Sequence, residues 1–299
     1  MKIITKWEEL ENLNNITLII GNFDGVHLGH QELIKTAKRI STNEKIVLLT
    51  FNPHPVEYFS QQPFLKLTPE KELNKILKEL KLDYWFNLQF NYDVANMSAE
   101  QFIKTISQHC ILKNIVVGFN FKFGKGKHGN VDYLDSLKQK YNYNLHVVKA
   151  VHLPNMKENI SSTLIRSLLA KGELQTANEA LARNYSLFGT VVHGKKLGRK
   201  LGFPTANIKV SPDKLIPADG VYAGLVNKKL LAAVSIGLNP SFNENKRTIE
   251  VYILNYEGDL YDQELKLELT EYLRPQIKFE SKEELVEQIR RDVGRILGE

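Results

Sequence analysis

The chain is predicted to be an α/β protein, with a doubly wound parallel sheet followed by a small antiparallel β-barrel and a C-terminal helix. Three observations carry this. Up to about Arg183, short apolar runs alternate with segments of helical spacing; from Gly189 onward, short strands follow one another between turns rich in Gly, Pro, Asn and Asp; and a glycine-rich turn joins an early strand to a helix. With 299 residues, 42% hydrophobic and 25% charged, there is room for two cores. The expected domains are 1–183 and 184–299.

In the first half, strands are predicted at 16–20, 46–51, 84–88, 115–119 and 145–151. Two of the intervening helices have start signals. Thr68 before Pro69 reads as an N-cap with proline at the first helical position, and Ser98 with Gln101 reads as a capping box. Such a sheet carries helices on both faces and binds ligands at the carboxyl ends of its strands. Residues 174–182 read as a bridging helix. In the second half, strands are predicted at 189–192, 221–226, 230–236, 248–254 and 264–273, the pattern of a small barrel. A last helix over 281–296 places Leu285, Ile289, Val293 and Ile296 on one stripe that packs across that barrel.

The turn GNFDGVHLGHQ, residues 21–31, is the most informative segment. Gly21 and Gly25 let backbone approach a ligand, with Asn22, Phe23 and Asp24 between them, and the helix that follows offers unpaired N–H groups and a positive dipole end. His27 and His30 flank Gly29, and on a helix that spacing stacks both imidazoles on one face. Two ring donors there suit the negative charge that grows when a triphosphate is attacked at phosphorus. The plainer alternative is a pair of surface histidines at a helix start.

Three further segments fall at strand ends. In TFNPHP, Pro53 and Pro55 stiffen the chain around His54, or merely end the strand. In GFNFKFGKGKHGN, which contains Asn120, the rings of Phe119, Phe121 and Phe123 share a face if extended, lining an aromatic pocket or joining the core. In ISSTLIR, Ser161 and Ser162 can cap a helix, followed by Thr163, and Arg166 sits one turn in, where a leaving pyrophosphate needs a permanent cation. The basic cluster Lys122, Lys125, Lys127 and His128 is broken by glycines, the texture of a phosphate-binding loop rather than a nucleic-acid stripe; of the net charge of +6, residues 1–183 hold +5. No nucleic-acid partner is expected.

In GTVVHGKKLGRKLGFPTANI, Gly194, Gly198 and Gly202 let backbone approach a nucleotide, while Lys195, Lys196 and Arg199 offset phosphate charge; a flexible hairpin with solvated lysines reads equally well. The strand RTIEVYIL places Glu250 with Thr248 and Tyr252, opposite Ile249, Val251 and Ile253. Beside Thr205 and Asn207 of the PTAN segment, that carboxylate suits phosphoryl transfer to a hydroxyl, which needs a proton acceptor and oxygen ligands for magnesium. The single cysteine, Cys110, cannot form an internal disulfide, and His109 beside it lacks the further ligands of a zinc site. Acidic residues early in the chain and the lack of a long apolar run predict a cytoplasmic protein with no membrane partner. Oligomeric state is not legible.

GNFDGVHLGH resembles the signature of the HxGH nucleotidyltransferases, Rossmann-like enzymes that transfer AMP from ATP, and the strand-end segments narrow the resemblance to the bacterial FAD synthetase module, the FMN adenylyltransferase. This implies that ISSTLIR is the triphosphate loop and that Asn120 lies at the flavin and nucleotide site, with Pro53, His54 and Phe123 on the flavin side. Lys122 and Lys127 stand where that family commonly has arginine, which keeps charge but loses bidentate geometry, and LARNY replaces the usual LGRPY. The second half resembles the riboflavin kinase barrel through GFPTAN, DGVYAG, SIGLNPSF, IEVYIL and LRPQIKF. There the resemblance implies that Thr205 contributes to a magnesium site, Asn207 orients it, Glu250 acts on the riboflavin 5′-hydroxyl and Arg274 lies near flavin. Ser241 and Tyr252 replace the commoner threonine and histidine.

The resulting expectation is a bifunctional enzyme that uses Mg2+ and ATP to convert riboflavin to FMN in the barrel and FMN to FAD plus pyrophosphate in the first domain. Two other readings stay open: an adenylyltransferase for another phosphorylated acceptor with a non-catalytic flavin-binding barrel, and a flavin sensor without catalysis.

Overall fold

The computed structural model describes all residues except 12, 195–197, 199–200, 239–246 and 299. They form two compact units, Met1–Ser161 and Ser162–Glu299.

The first unit is a six-stranded, all-parallel sheet in the order β1-β4-β3-β2-β5-β6. Its strands are β1 (Lys2–Ile4), β2 (Asn15–Ile20), β3 (Lys45–Asn52), β4 (Tyr84–Gln89), β5 (Ile111–Gly118) and β6 (Asn144–Val148). The five predicted strands are all present. The added β1, three residues beside β4, is too short to show alternation. Helices α1 (Leu28–Ile40), α2 (Pro55–Ser60), α3 (Glu70–Glu79), α4 (Tyr92–Asn96), α5 (Ala99–His109) and α6 (Val131–Tyr141) join them.

Alternation along β2 builds the two cores of the sheet. Ile19 joins Leu33 and Ile34 of α1 and Leu73 and Leu77 of α3, whereas Leu18 and Ile20 join Phe102 and Ile106 of α5. Each such fully buried side chain contributes roughly 1.5–3 kcal/mol. Because β3 lies on one side of β2 and β5 on the other, the strand order reverses next to β2, and the Gly21 turn leaves from its carboxyl end. The Ser98–Gln101 capping box forms as expected. The expected Thr68 cap does not. Helix α3 starts after Pro69 with no side-chain cap, and the Thr68 hydroxyl is used elsewhere. Cys110 is buried, and burial pushes its thiol up to about 12.

The second unit begins with α7 (Ser162–Lys171) and α8 (Leu174–Leu181), ahead of the expected boundary at 183/184. Both helices bond to barrel residues: the Leu169 carbonyl accepts from Ala218 N at 2.9 Å, and Asn178 Nδ2 donates to the Leu269 carbonyl at 3.0 Å. Six antiparallel strands close into a barrel in the order β10-β11-β8-β7-β12-β9. They are β7 (Tyr185–Val192), β8 (Ala206–Val210), β9 (Gly220–Val226), β10 (Leu230–Leu238), β11 (Arg247–Ile253) and β12 (Glu264–Arg274). The five predicted strands are there; β8 is additional, because five residues containing Asn207 and Lys209 show little apolar alternation.

Helix α9 (Lys282–Leu297) carries the expected stripe, yet its buried residue is Asp292. Arg274, at the end of β12, donates Nε to both Asp292 carboxylate oxygens at 3.0 Å and Nη2 to Oδ2 at 2.7 Å. This bidentate pair fastens α9 to the barrel. Asp292→Ala strands the guanidinium and is expected to lower the stability of this unit by about 3 kcal/mol. Urea unfolding checks it; a loss under about 1 kcal/mol would show that the apolar stripe alone holds α9.

Candidate functional site

In the first unit the site grows from the end of β2. Its turn needs left-handed backbone at Phe23 (φ 55°), Gly25 (φ 90°) and Val26 (φ 42°). For a β-branched residue such as Val26 this costs on the order of 1–3 kcal/mol, so the surroundings must hold it. Two long-range contacts do so. Gly25 N donates to Thr68 Oγ1 at 2.9 Å, and Thr68 N donates to Asp24 Oδ1 at 3.0 Å, all three residues being buried. Gln31 Nε2 reaches back to the Val26 carbonyl at 3.0 Å.

His27 is the N-cap of α1 rather than a helical residue, and its Nδ1 accepts from His30 N at 3.3 Å. The imidazoles nevertheless stack, with ring centroids 3.7 Å apart, and Phe23 stacks on His30 at 4.5 Å. Gly29 makes this possible, since a Cβ there would lie 3.1 Å from the His27 ring. Gly21 has a packing role too: its Cβ would lie 3.2 Å from the Phe23 ring. The result is a Phe23–His30–His27 stack at the start of a thirteen-residue helix, with Asn22 exposed beside it.

After β3, Pro53 follows a cis peptide bond, and His54 caps α2 by accepting from Val56 N at 3.1 Å while stacking on Phe64 at 4.3 Å. His54 also lines a small cleft with Asn22, Asp24, Thr50, Thr68 and Asn87. After β5, Asn120 and Phe119 are exposed, but Phe123 is buried in the core and stacks with Phe121 at 5.3 Å. The three phenylalanines therefore do not share one face, because Phe123 bridges to Gly129 and turns inward. Ile160 and Ser161 end this unit; Ser162, Thr163 and a half-buried Arg166 lie in the first turns of α7, in the second unit.

In the barrel, Glu250 on β11 is directly opposite Asn207 on β8 and Ser235 on β10. Val251 and Ile249 point into the barrel core, so Glu250 and Asn207 share its outer face. Gly194 and Gly198 fit tightly behind the PTAN side chains: a Cβ on Gly194 would lie 2.1 Å from Asn207 Nδ2, and one on Gly198 would lie 3.3 Å from Thr205 Oγ1. Gly202 has φ 85°, so its conformation needs glycine although its surroundings are open. Lys195, Lys196, Arg199 and Ser241 lie outside the described residues. Thr205 also borders a cleft of about 590 Å³ lined in part by Tyr256 and Tyr261. Arg274 carries the structural pairing with Asp292 described above.

Each half matches a family separately. Residues 9–164 match FAD synthetase and residues 181–297 match riboflavin kinase. Over nearly its whole length the chain is 37% identical to the bifunctional riboflavin kinase/FMN adenylyltransferase of Buchnera aphidicola subsp. Schizaphis graminum, covering 98% of this chain and 97% of the relative. The chain belongs to the bifunctional riboflavin kinase/FMN adenylyltransferase family. The relative from Escherichia coli strain K12 is 33% identical, covering 92% of this chain and 90% of the relative. A crystal structure described as a macrolide-efflux protein from Streptococcus pneumoniae superposes with a TM-score of 0.86 at 29% identity, over 98% of this chain and 97% of that one. Among the described residues of this family member, no helix is long and apolar enough to cross a membrane. The chain is a transferase of flavin cofactor biosynthesis, with a nucleotidyltransferase half and a kinase half.

Sequence reasoning missed Tyr256 and Tyr261, which flank a Gly-Asp turn, a weak signal, and gave Thr68 a capping role only, since its partners here are 43 and 44 residues away. Thr68→Val removes the acceptor for Gly25 N and is expected to slow FMN adenylylation about tenfold or more. Thr68→Ser should restore it, and riboflavin phosphorylation should stay unchanged. Assaying the two half-reactions separately checks this, and an equal loss in both would refute it.

Proposed function

We propose that residues of the first unit transfer AMP from ATP to FMN, releasing pyrophosphate, and that the barrel phosphorylates the riboflavin 5′-hydroxyl. The observation that carries the division is the cross-strand pairing of Glu250 with Asn207, backed by Gly194 and next to Thr205, because only the second reaction needs a base.

At the barrel, Glu250 takes the proton of the riboflavin hydroxyl as the hydroxyl oxygen attacks the γ-phosphorus of ATP and the bond to ADP breaks. The Thr205 hydroxyl and the Asn207 amide oxygen are hard donors in a cradle that a Cβ on either glycine would fill, which suits Mg2+. Held by Thr205 and Asn207, the ion would supply charge neutralisation for the phosphates. The glycines at 194, 198 and 202, with Lys195 and Arg199, carry the nucleotide.

In the first unit the FMN phosphate is already an anionic nucleophile, so positioning and charge stabilisation do the chemistry. An FMN phosphate oxygen attacks the α-phosphorus of ATP and the bond to pyrophosphate breaks. Residues 21–25 and Gly29 cradle the ATP phosphates, His27 and His30 stabilise the charge that develops, and Ser161 serves the leaving pyrophosphate. Pro53, His54 and Asn120 face the flavin; Phe123 supports the Asn120 loop from the core.

Glu250→Gln is expected to lower FMN formation from riboflavin by about a hundredfold or more and to leave FAD formation from FMN intact. His30→Ala should do the reverse by a similar factor. Product chromatography with riboflavin or FMN as the starting flavin separates the steps. Loss of both steps in a folded variant would contradict one reaction per unit.

A further inference from the structure

Beneath the small cleft of the first unit runs a buried relay of side chains to which the reading above gives no role. Trp85 Nε1 donates to Thr50 Oγ1 at 2.8 Å, and Thr50 Oγ1 donates to Asn87 Oδ1 at 3.2 Å. Thr50 and Asn87 are cross-strand partners near the carboxyl ends of β3 and β4, and Trp85 lies two residues before Asn87 on the same face. Relative exposures of 1%, 2% and 7% for Trp85, Thr50 and Asn87 close the relay to water except at its last member.

An indole nitrogen can only donate, so the Thr50 hydroxyl accepts from it, and that hydroxyl gives its own proton to Asn87 Oδ1. That holds the Asn87 carbonyl inward and turns its NH2 group to the cleft it lines, where it has no acceptor among the described residues. The amide nitrogen is not among the fully enclosed polar atoms without a partner, so it stays open to the cleft, where an acceptor on a ligand can reach it.

The geometry points to Asn87 as a specificity residue that donates a hydrogen bond to a ring carbonyl of the flavin in the FMN-adenylylating unit. This rests on the function proposed above. The cleft holds about 40 Å³, too little for a ring system but enough for a group projecting from one. The flavin ring projects two carbonyl oxygens. Adenine projects an amino group, itself a donor, which an amide N–H cannot accept. The cleft includes His54, assigned above to the flavin, beside Asn22 and Asp24 of the turn assigned to ATP, so a group entering it lies where the two substrates meet.

The test is steady-state FAD formation by the full chain, varying FMN and ATP in turn. Asn87→Asp keeps the acceptor for Thr50 but replaces the donor with a carboxylate oxygen. It is expected to raise KM for FMN about tenfold or more with KM for ATP unchanged. Thr50→Val, which removes the lock on the amide and leaves Asn87 in place, should raise KM for FMN by a smaller factor. Fluorescence titration of FMN binding without ATP should show the same order, and covers a variant that folds but turns over poorly. An unchanged KM for FMN in both variants, or a rise in KM for ATP instead, overturns the assignment of Asn87. Failure of the unsubstituted chain to make FAD from FMN overturns the underlying reading as well, so the two failures are distinguishable.

Discussion

The first unit depends on a central strand buried on both faces that ends in a turn the backbone resists. Ile19 is held by one core and Leu18 and Ile20 by the other, so β2 can neither slip nor rotate without exposing one set. That fixed strand delivers the chain into left-handed geometry at Phe23, Gly25 and Val26. Thr68 then holds the turn by bonding to its backbone at Gly25 and its carboxylate at Asp24. With the turn held, the stack of Phe23, His30 and His27 forms at the start of α1, and two glycines supply the space the rings occupy. Strain in the backbone is thus offset by packing and buried hydrogen bonds around it.

The barrel solves a different problem. Closure of six strands removes open edges and fills the interior with alternate residues, which forces the other residues outward. Glu250 and Asn207 point outward for that reason, and antiparallel register puts them directly opposite one another. A carboxylate and an amide are thereby held by rigid strands, while the glycines before PTAN bring backbone against that segment. The Arg274–Asp292 pair holds α9 on the same barrel.

Much of this was legible beforehand because it is written in local periodicity. Five of the six parallel strands, five of the six barrel strands, the Ser98 capping box and the Gly21 turn follow from patterns within a few residues. β1 and β8 escaped because three or five residues do not establish a period. Thr68 was misassigned because Thr-Pro is a sound local cap signal, while its actual partners are more than forty residues away. His27 shows the same limit: its spacing from His30 suggested a helical pair, but the ring stack arises with His27 as the cap.

The sequence alone determined the succession of elements, the two halves and the residue types that carry each chemistry, since hydrophobic alternation, turn residues and motif spacing act over short stretches of chain. Only the tertiary structure decided which of those residues meet: Thr68 with Asp24 and Gly25, Glu250 with Asn207, Arg274 with Asp292, and Trp85 with Thr50 and Asn87. Each meeting is set by strand register or by packing between elements distant along the chain, and no local pattern encodes the direction in which a buried hydrogen bond runs.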